Sequence, residues 1–105
     1  MTDTQPLPRQ IKIEEFLPLV DKTFEVHCDP RNVHLTLIKA IPGRQRAFDD
    51  RPPFTLIFHS TPDILLVDGL YVMKSAGFGP DSIFIAPTVA APGAAPGYYY
   101  QAVFN

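Results

Sequence analysis

Thr23-Phe24-Glu25-Val26-His27-Cys28, then Asp29-Pro30-Arg31-Asn32, then Val33-His34-Leu35-Thr36-Leu37: this stretch decides the fold class. Two runs of period-2 alternation flank a tetrapeptide whose Asp and Pro suit the first two positions of a type I turn. Proline presets φ there, and the aspartate side chain bonds the amides ahead of it. Centring the turn on that tetrapeptide sets Cys28 opposite Val33, His27 opposite His34, Val26 opposite Leu35, Glu25 opposite Thr36 and Phe24 opposite Leu37. Phe24, Val26, Cys28, Val33, Leu35 and Leu37 then share one apolar face, while Glu25, His27, His34 and Thr36 share the polar one. A half-buried antiparallel hairpin is the expectation.

Working outward, the alternation breaks after Leu37, where Ile38, Lys39, Ala40 and Ile41 call for a bulge or a twist onto a second layer. Phe54, Leu56 and Phe58 mark another strand over residues 53–60. Residues 60–68 read as a turn at Thr61-Pro62-Asp63 followed by a short strand or a buried crossing. Residues 69–74 and 82–89 are further strands, joined by a turn that carries Gly77, Gly79 and Pro80. The last strand, residues 98–104, is aromatic and belongs inside the sheet, since so much ring area at a free end would otherwise face water. Phe24, Val26, Leu35, Leu37, Phe54, Leu56, Phe58 and Phe104 are the expected core.

Before the hairpin, Ile13, Phe16, Leu17 and Val20 fall at helical spacing, and Pro18 cuts the helix short. A short plug, 3₁₀ in part, covers one open end of the domain. The whole reading is all-β and mainly antiparallel: six or so short strands in a small barrel or sandwich with an N-terminal helical turn. Residues 1–10, polar with Pro6 and Pro8, form a flexible lead-in, and residues 11–105 form a single β domain.

The chain has 105 residues, 46% of them hydrophobic, enough for one core without metals or disulfides as staples. A net charge of −2, with both signs interspersed, offers no field for nucleic acid. No apolar run approaches the ~20 residues of a membrane-spanning helix. Cys28 stands alone, so no intrachain disulfide forms, and a reduced cytoplasmic location is expected.

Catalytic signals are sparse. His27, His34 and Glu25 on the polar face could supply three metal ligands, and they carry the alternative reading of a metal-binding or small-ligand protein, or an enzyme. The bland reading places them on a solvated face. Cys28 beside His27 and Ser60 beside His59 point to opposite faces of their strands, so neither pair forms a nucleophile with its base. Gly77-Phe78-Gly79-Pro80 lacks the third glycine of a phosphate cradle. Asp49 and Asp50 belong to a charged loop over residues 42–53, with Arg44, Arg46 and Arg51 beside them. No cofactor is called for.

The better functional signal lies near the C-terminus. Residues 90–97 write Ala-Ala-Pro-Gly twice, a composition of mobile loops, and Tyr98, Tyr99 and Tyr100 follow at once. Tyr98 and Tyr100 face one way and Tyr99 the other, so one side packs in the core and the other is free for contact. Pro92, Pro96 and the outward tyrosine or tyrosines form the candidate partner-binding surface.

Phe16-Leu17-Pro18-Leu19-Val20 leading to Phe24, Pro53-Phe54-Thr55-Leu56-Ile57-Phe58, Gly69-Leu70-Tyr71 and the closing Tyr100-Gln101-Ala102-Val103-Phe104-Asn105 together resemble an uncharacterised family of small bacterial proteins. The Ala-Pro-Gly repeat and the triple tyrosine depart from that family's pattern. The resemblance implies no catalytic residues. It implies a structural or assembly role beside phage tail-collar and tail-fibre-like proteins, in a phage-like or extracellular assembly. The expected activity is therefore protein contact, with the oligomeric state left open.

Overall fold

The computed structural model describes residues 11–44 and 52–105. Six strands, β1 (Thr23–Val26), β2 (Val33–Pro42), β3 (Phe54–Ser60), β4 (Gly69–Ser75), β5 (Phe78–Thr88) and β6 (Tyr98–Phe104), close into an antiparallel barrel in the order β1-β2-β3-β6-β5-β4. The expected all-β class stands, and between barrel and sandwich the chain takes the barrel. Closure removes the free sheet edges that a small open sheet would expose. The last strand provides one closing seam, pairing with β3 along its whole length from Phe54↔Phe104 to Ser60↔Tyr98. The other seam is short: β1 meets β4 at Glu25↔Lys74 and Val26↔Met73, helped by the His27 amide donating to the Val72 carbonyl at 2.9 Å.

Alternation decides which side chains go inside. In β3 every second residue, Phe54, Leu56, Phe58 and Ser60, is buried, and the residues between them are half-buried on the outer face. Seven of the eight expected core residues have 1% exposure or less; Phe104 is partly buried and packs on the cluster through Phe54. The expected irregularity after Leu37 is a bulge, with Ile38 the extra residue between Leu37↔Phe58 and Lys39↔Ile57.

The N-terminal segment forms two successive 3₁₀ turns, Ile13–Glu15 and Leu17–Leu19, with Pro18 inside the second. They carry Phe16 into the barrel's end with no exposed surface. Its ring lies 4.8 Å from Phe78, 5.8 Å from Phe54, 5.9 Å from Phe104 and 6.4 Å from Phe24, centroid to centroid. This is the plug that the apolar spacing predicted.

Two local expectations are corrected. The first hairpin is paired as Thr23↔Thr36, Phe24↔Leu35, Glu25↔His34 and Val26↔Val33, so His27 does not face His34. The connection spans residues 27–32, longer than the tetrapeptide, because the His27 amide is drawn to β4 and the Cys28 amide to the Asn32 side chain at 3.3 Å. The displacement is two residues, an even number, so every inward residue stays inward. Cys28 consequently sits in the connection, partly buried against the core. The second correction concerns Gly79 and Pro80. The turn between β4 and β5 is Ala76-Gly77, and both residues lie within β5, at a register shift opposite Met73 and Ser75. Gly79 has φ +78° there, and a Cβ would stand 2.6 Å from the Met73 carbonyl oxygen, so this strand position accepts only glycine.

The expected lead-in at residues 1–10 and the core of the charged loop, with Arg46, Asp49, Asp50 and Arg51, lie outside the described residues.

Candidate functional site

The barrel wall has a polar side and an apolar side, and the polar side runs across β2, β1 and β4. Glu25 lies between His34 and Lys74 in register, and its carboxylate takes the Lys74 ammonium at 3.3 Å. Both side chains are well exposed, at 36% and 59%, so solvent screens the pair and it adds little stability. His27 lines a shallow cleft of about 350 Å³ with Glu25, Asn32 and Lys74. His34 lines a different cleft, about 430 Å³, between the loops of residues 27–32 and 61–68, together with Cys28, Arg31 and Asp63. The ligand set His27, His34 and Glu25 is therefore split between two clefts. Among the described residues no group of three His, Cys, Asp or Glu side chains is placed to hold a metal ion.

Nor does Cys28 become a nucleophile. Burial, and next the neighbouring Asp29 carboxylate, push its thiol above the ordinary range, which keeps it protonated at neutral pH.

The three tyrosines have three different situations. Tyr100 points inward with no exposed surface, so it is core. Its hydroxyl accepts the Leu66 amide at 2.9 Å and lies 3.4 Å from the Ser60 hydroxyl, which donates to the Ile64 carbonyl at 2.9 Å. Tyr99 points outward yet is only 7% exposed, because the loop before it folds back over the wall. The Tyr99 hydroxyl donates to the Ala95 carbonyl at 2.7 Å, and His59 Nε2 donates to the Pro96 carbonyl at 2.9 Å. A carbonyl only accepts, so Nε2 bears the proton. Tyr98, at 40% exposure, is the one of the three open to solvent, and Pro92 and Pro96 in the preceding loop are exposed as well.

The return of the loop into β6 depends on Gly97. Its φ is +135°, and a Cβ would run into the Ser60 carbonyl oxygen and the His59 ring.

Next to the polar side, across β4, the sequence reading missed a feature. Leu70 and Phe84 are cross-strand partners on the outer face of β4 and β5, exposed to 68% and 55%, with Val72 at 43% on the same face. Leu65 and Val67, in the loop before β4, are 62% and 71% exposed, and Val89, just after β5, is 91% exposed. The remaining large exposed apolar side chains, Leu17, Ile41 and Val103, lie toward the plugged end. The sequence did contain a signal for this. Leu70-Tyr71-Val72-Met73 and Ile83-Phe84-Ile85 are unbroken apolar runs, whereas an antiparallel strand with one wetted face alternates. Two apolar faces in a barrel strand mean that one of them looks outward.

Residues 11–104 match the domain family of unknown function DUF6916, so the chain belongs to that family. No curated protein and no solved structure matches the chain.

Proposed function

We propose that this member of the DUF6916 family is a non-enzymatic interaction module that binds another protein through the outer face of β4 and β5 and the adjoining loop end. The observation that carries the reading is the register pair Leu70↔Phe84, two large apolar side chains more than half exposed on a wall whose inner face is fully packed. Isolated exposed apolar residues are ordinary, but a cluster with polar surroundings marks a contact surface. Aromatic and branched anchors at the middle of such a patch carry most of the binding energy. Val67, Val89 and Tyr98 extend the patch around the loop end, and Pro92 and Pro96 of the Ala-Pro-Gly loop add an adaptable rim.

The partner class is a tail-collar or fibre-like protein of a phage-tail-like assembly, met in the cytoplasm where such assemblies are built; the terminal Tyr-x-Ala-Val-Phe-Asn resemblance supports that choice.

Site-specific photo-crosslinking in the native host tests the reading. A crosslinker at Phe84 is expected to give a discrete protein adduct, and one at Thr36 on the polar wall none. Equal labelling from both positions, or none from Phe84, overturns it.

A further inference from the structure

The loop that folds over Tyr99 leaves a space beneath it. A cleft of about 370 Å³ lies between the outer faces of β2, β3 and β6 and the underside of residues 89–97. Ile38, Ile41, Ile57, Val89 and Tyr99 give it apolar walls, and Ala91, Ala94 and Ala95 form the roof. The Tyr99 hydroxyl is engaged with Ala95 and, beside the cleft, His59 Nε2 with Pro96; Thr88 is the other uncharged polar residue of the lining. Lys39 is the one charged residue among those lining the space, and no carboxylate of the described residues pairs with it.

We propose that this cleft is a binding site for a small hydrophobic carboxylate, with the apolar body between Ile57 and the alanine roof and the carboxylate at Lys39 Nζ. Three features select that class. The walls reward apolar area, at roughly 25 cal/mol per Å² removed from water. The volume holds about a dozen heavy atoms at ~30 Å³ each, the share a water molecule takes in the liquid, which suits a single medium-length chain and excludes a two-chain lipid. The charge at the rim is a lone ammonium on a flexible stem, which can keep its head in water while the stem lines the cleft. The bulge at Ile38 brings Lys39 and Ile41 to this outer face, so the register shift in β2 is what gives the apolar cleft its cationic rim.

Val89 borders both this cleft and the loop end of the β4 and β5 face, but Lys39, Ile57 and Ala94 belong to the cleft and Leu70 and Phe84 to that face, so either proposal can fail alone. The test is titration of the whole chain with decanoate and, as the uncharged control, decanol, followed by amide chemical shifts. Saturable shifts at Ile57, Ala94 and Tyr99 are expected with both compounds. Lys39→Gln is expected to weaken decanoate by about two- to fivefold, the worth of an exposed ion pair, and to leave decanol unchanged. Ala94→Phe fills the space and is expected to abolish both titrations while the remaining spectrum stays folded. Absence of saturable shifts, shifts centred on Leu70 and Phe84, or equal weakening of both compounds by Lys39→Gln would each refute the proposal.

Discussion

The two ends of the barrel are closed by different physics. At one end Phe16 descends from the 3₁₀ turns among Phe24, Phe54, Phe78 and Phe104, with centroid separations from 4.8 to 6.4 Å and no hydrogen bond required. At the other, Tyr100 ends in a buried hydroxyl that satisfies the Leu66 amide, with Ser60 beside it tying down Ile64. Ring packing is non-directional and tolerates small adjustments. A buried hydroxyl network is directional, and losing one member strands the others. The aromatic end is thus a stability device. The polar end fixes the path of residues 61–68, and that path presents Leu65 and Val67 to solvent beside the proposed contact face.

Removing the aromatic stopper should produce the largest effect. Phe16→Ala is expected to destabilise the protein by about 3–5 kcal/mol, read from the urea midpoint at unchanged slope, because four neighbouring rings lose their common partner. A cost below about 1 kcal/mol would mean that the plug is an ornament on an already closed barrel. Tyr100→Phe should cost less, about 1–3 kcal/mol, since it keeps the ring and orphans the Leu66 amide. Because the two sites sit at opposite ends of the barrel, the double variant should be additive within about 0.5 kcal/mol. Strong coupling between them would show that the ends do not close independently.

The same contrast separates what was legible in the sequence from what was not. Phe16 could be placed at a barrel end because helical spacing and Pro18 described a short apolar plug. Inward faces of β1, β2 and β3 followed from period 2 alone, and an even register error at His27 and His34 left them intact. That error came from treating Asp29-Pro30 as a tight hairpin turn, when the His27 amide bonds to Val72, a partner 45 positions away that no local rule contains. Tyr99 was hidden for a similar reason. Alternation put it outside, but its cover is a loop whose alanines and prolines offer no side-chain bonds, held only through backbone carbonyls. Gly79 and Pro80 read as a turn because a bulge and a turn use the same residues.

The polar end also makes a pH prediction. Tyr71 points inward on β4 and donates its hydroxyl to the Val67 carbonyl at 2.7 Å. Burial first, then the nearby ionisable groups of Cys28, Tyr100 and Asp68, raise its pKa above the usual phenol range. The folded state therefore holds this proton more tightly than the unfolded chain. The contribution is complete below the ordinary phenol pKa of ~10 and is lost as pH rises through the folded value. Thermal midpoints should fall above pH ~10 in the native chain, and Tyr71→Phe should make that fall shallower. A variant with the same alkaline slope as the native chain would assign the effect to other groups.

The smallest expected stability effect belongs to the outer wall. Leu70 and Phe84 face each other across β4 and β5 with 68% and 55% of their surface in water, so neither fills space in the core. Exposed substitutions away from caps and networks usually stay within about 0.5 kcal/mol. A cross-strand apolar pair adds roughly 0.2–1 kcal/mol. Phe84→Ser with Leu70→Ser should therefore lower stability by no more than about 1 kcal/mol, far less than Phe16→Ala at the plugged end. If these side chains are retained for contact, the double variant should lose the crosslinked partner while its urea midpoint moves little. Should the midpoint instead drop as far as that of Phe16→Ala, the face is structural, and the interaction surface would have to be sought at Tyr98, Pro92 and Pro96.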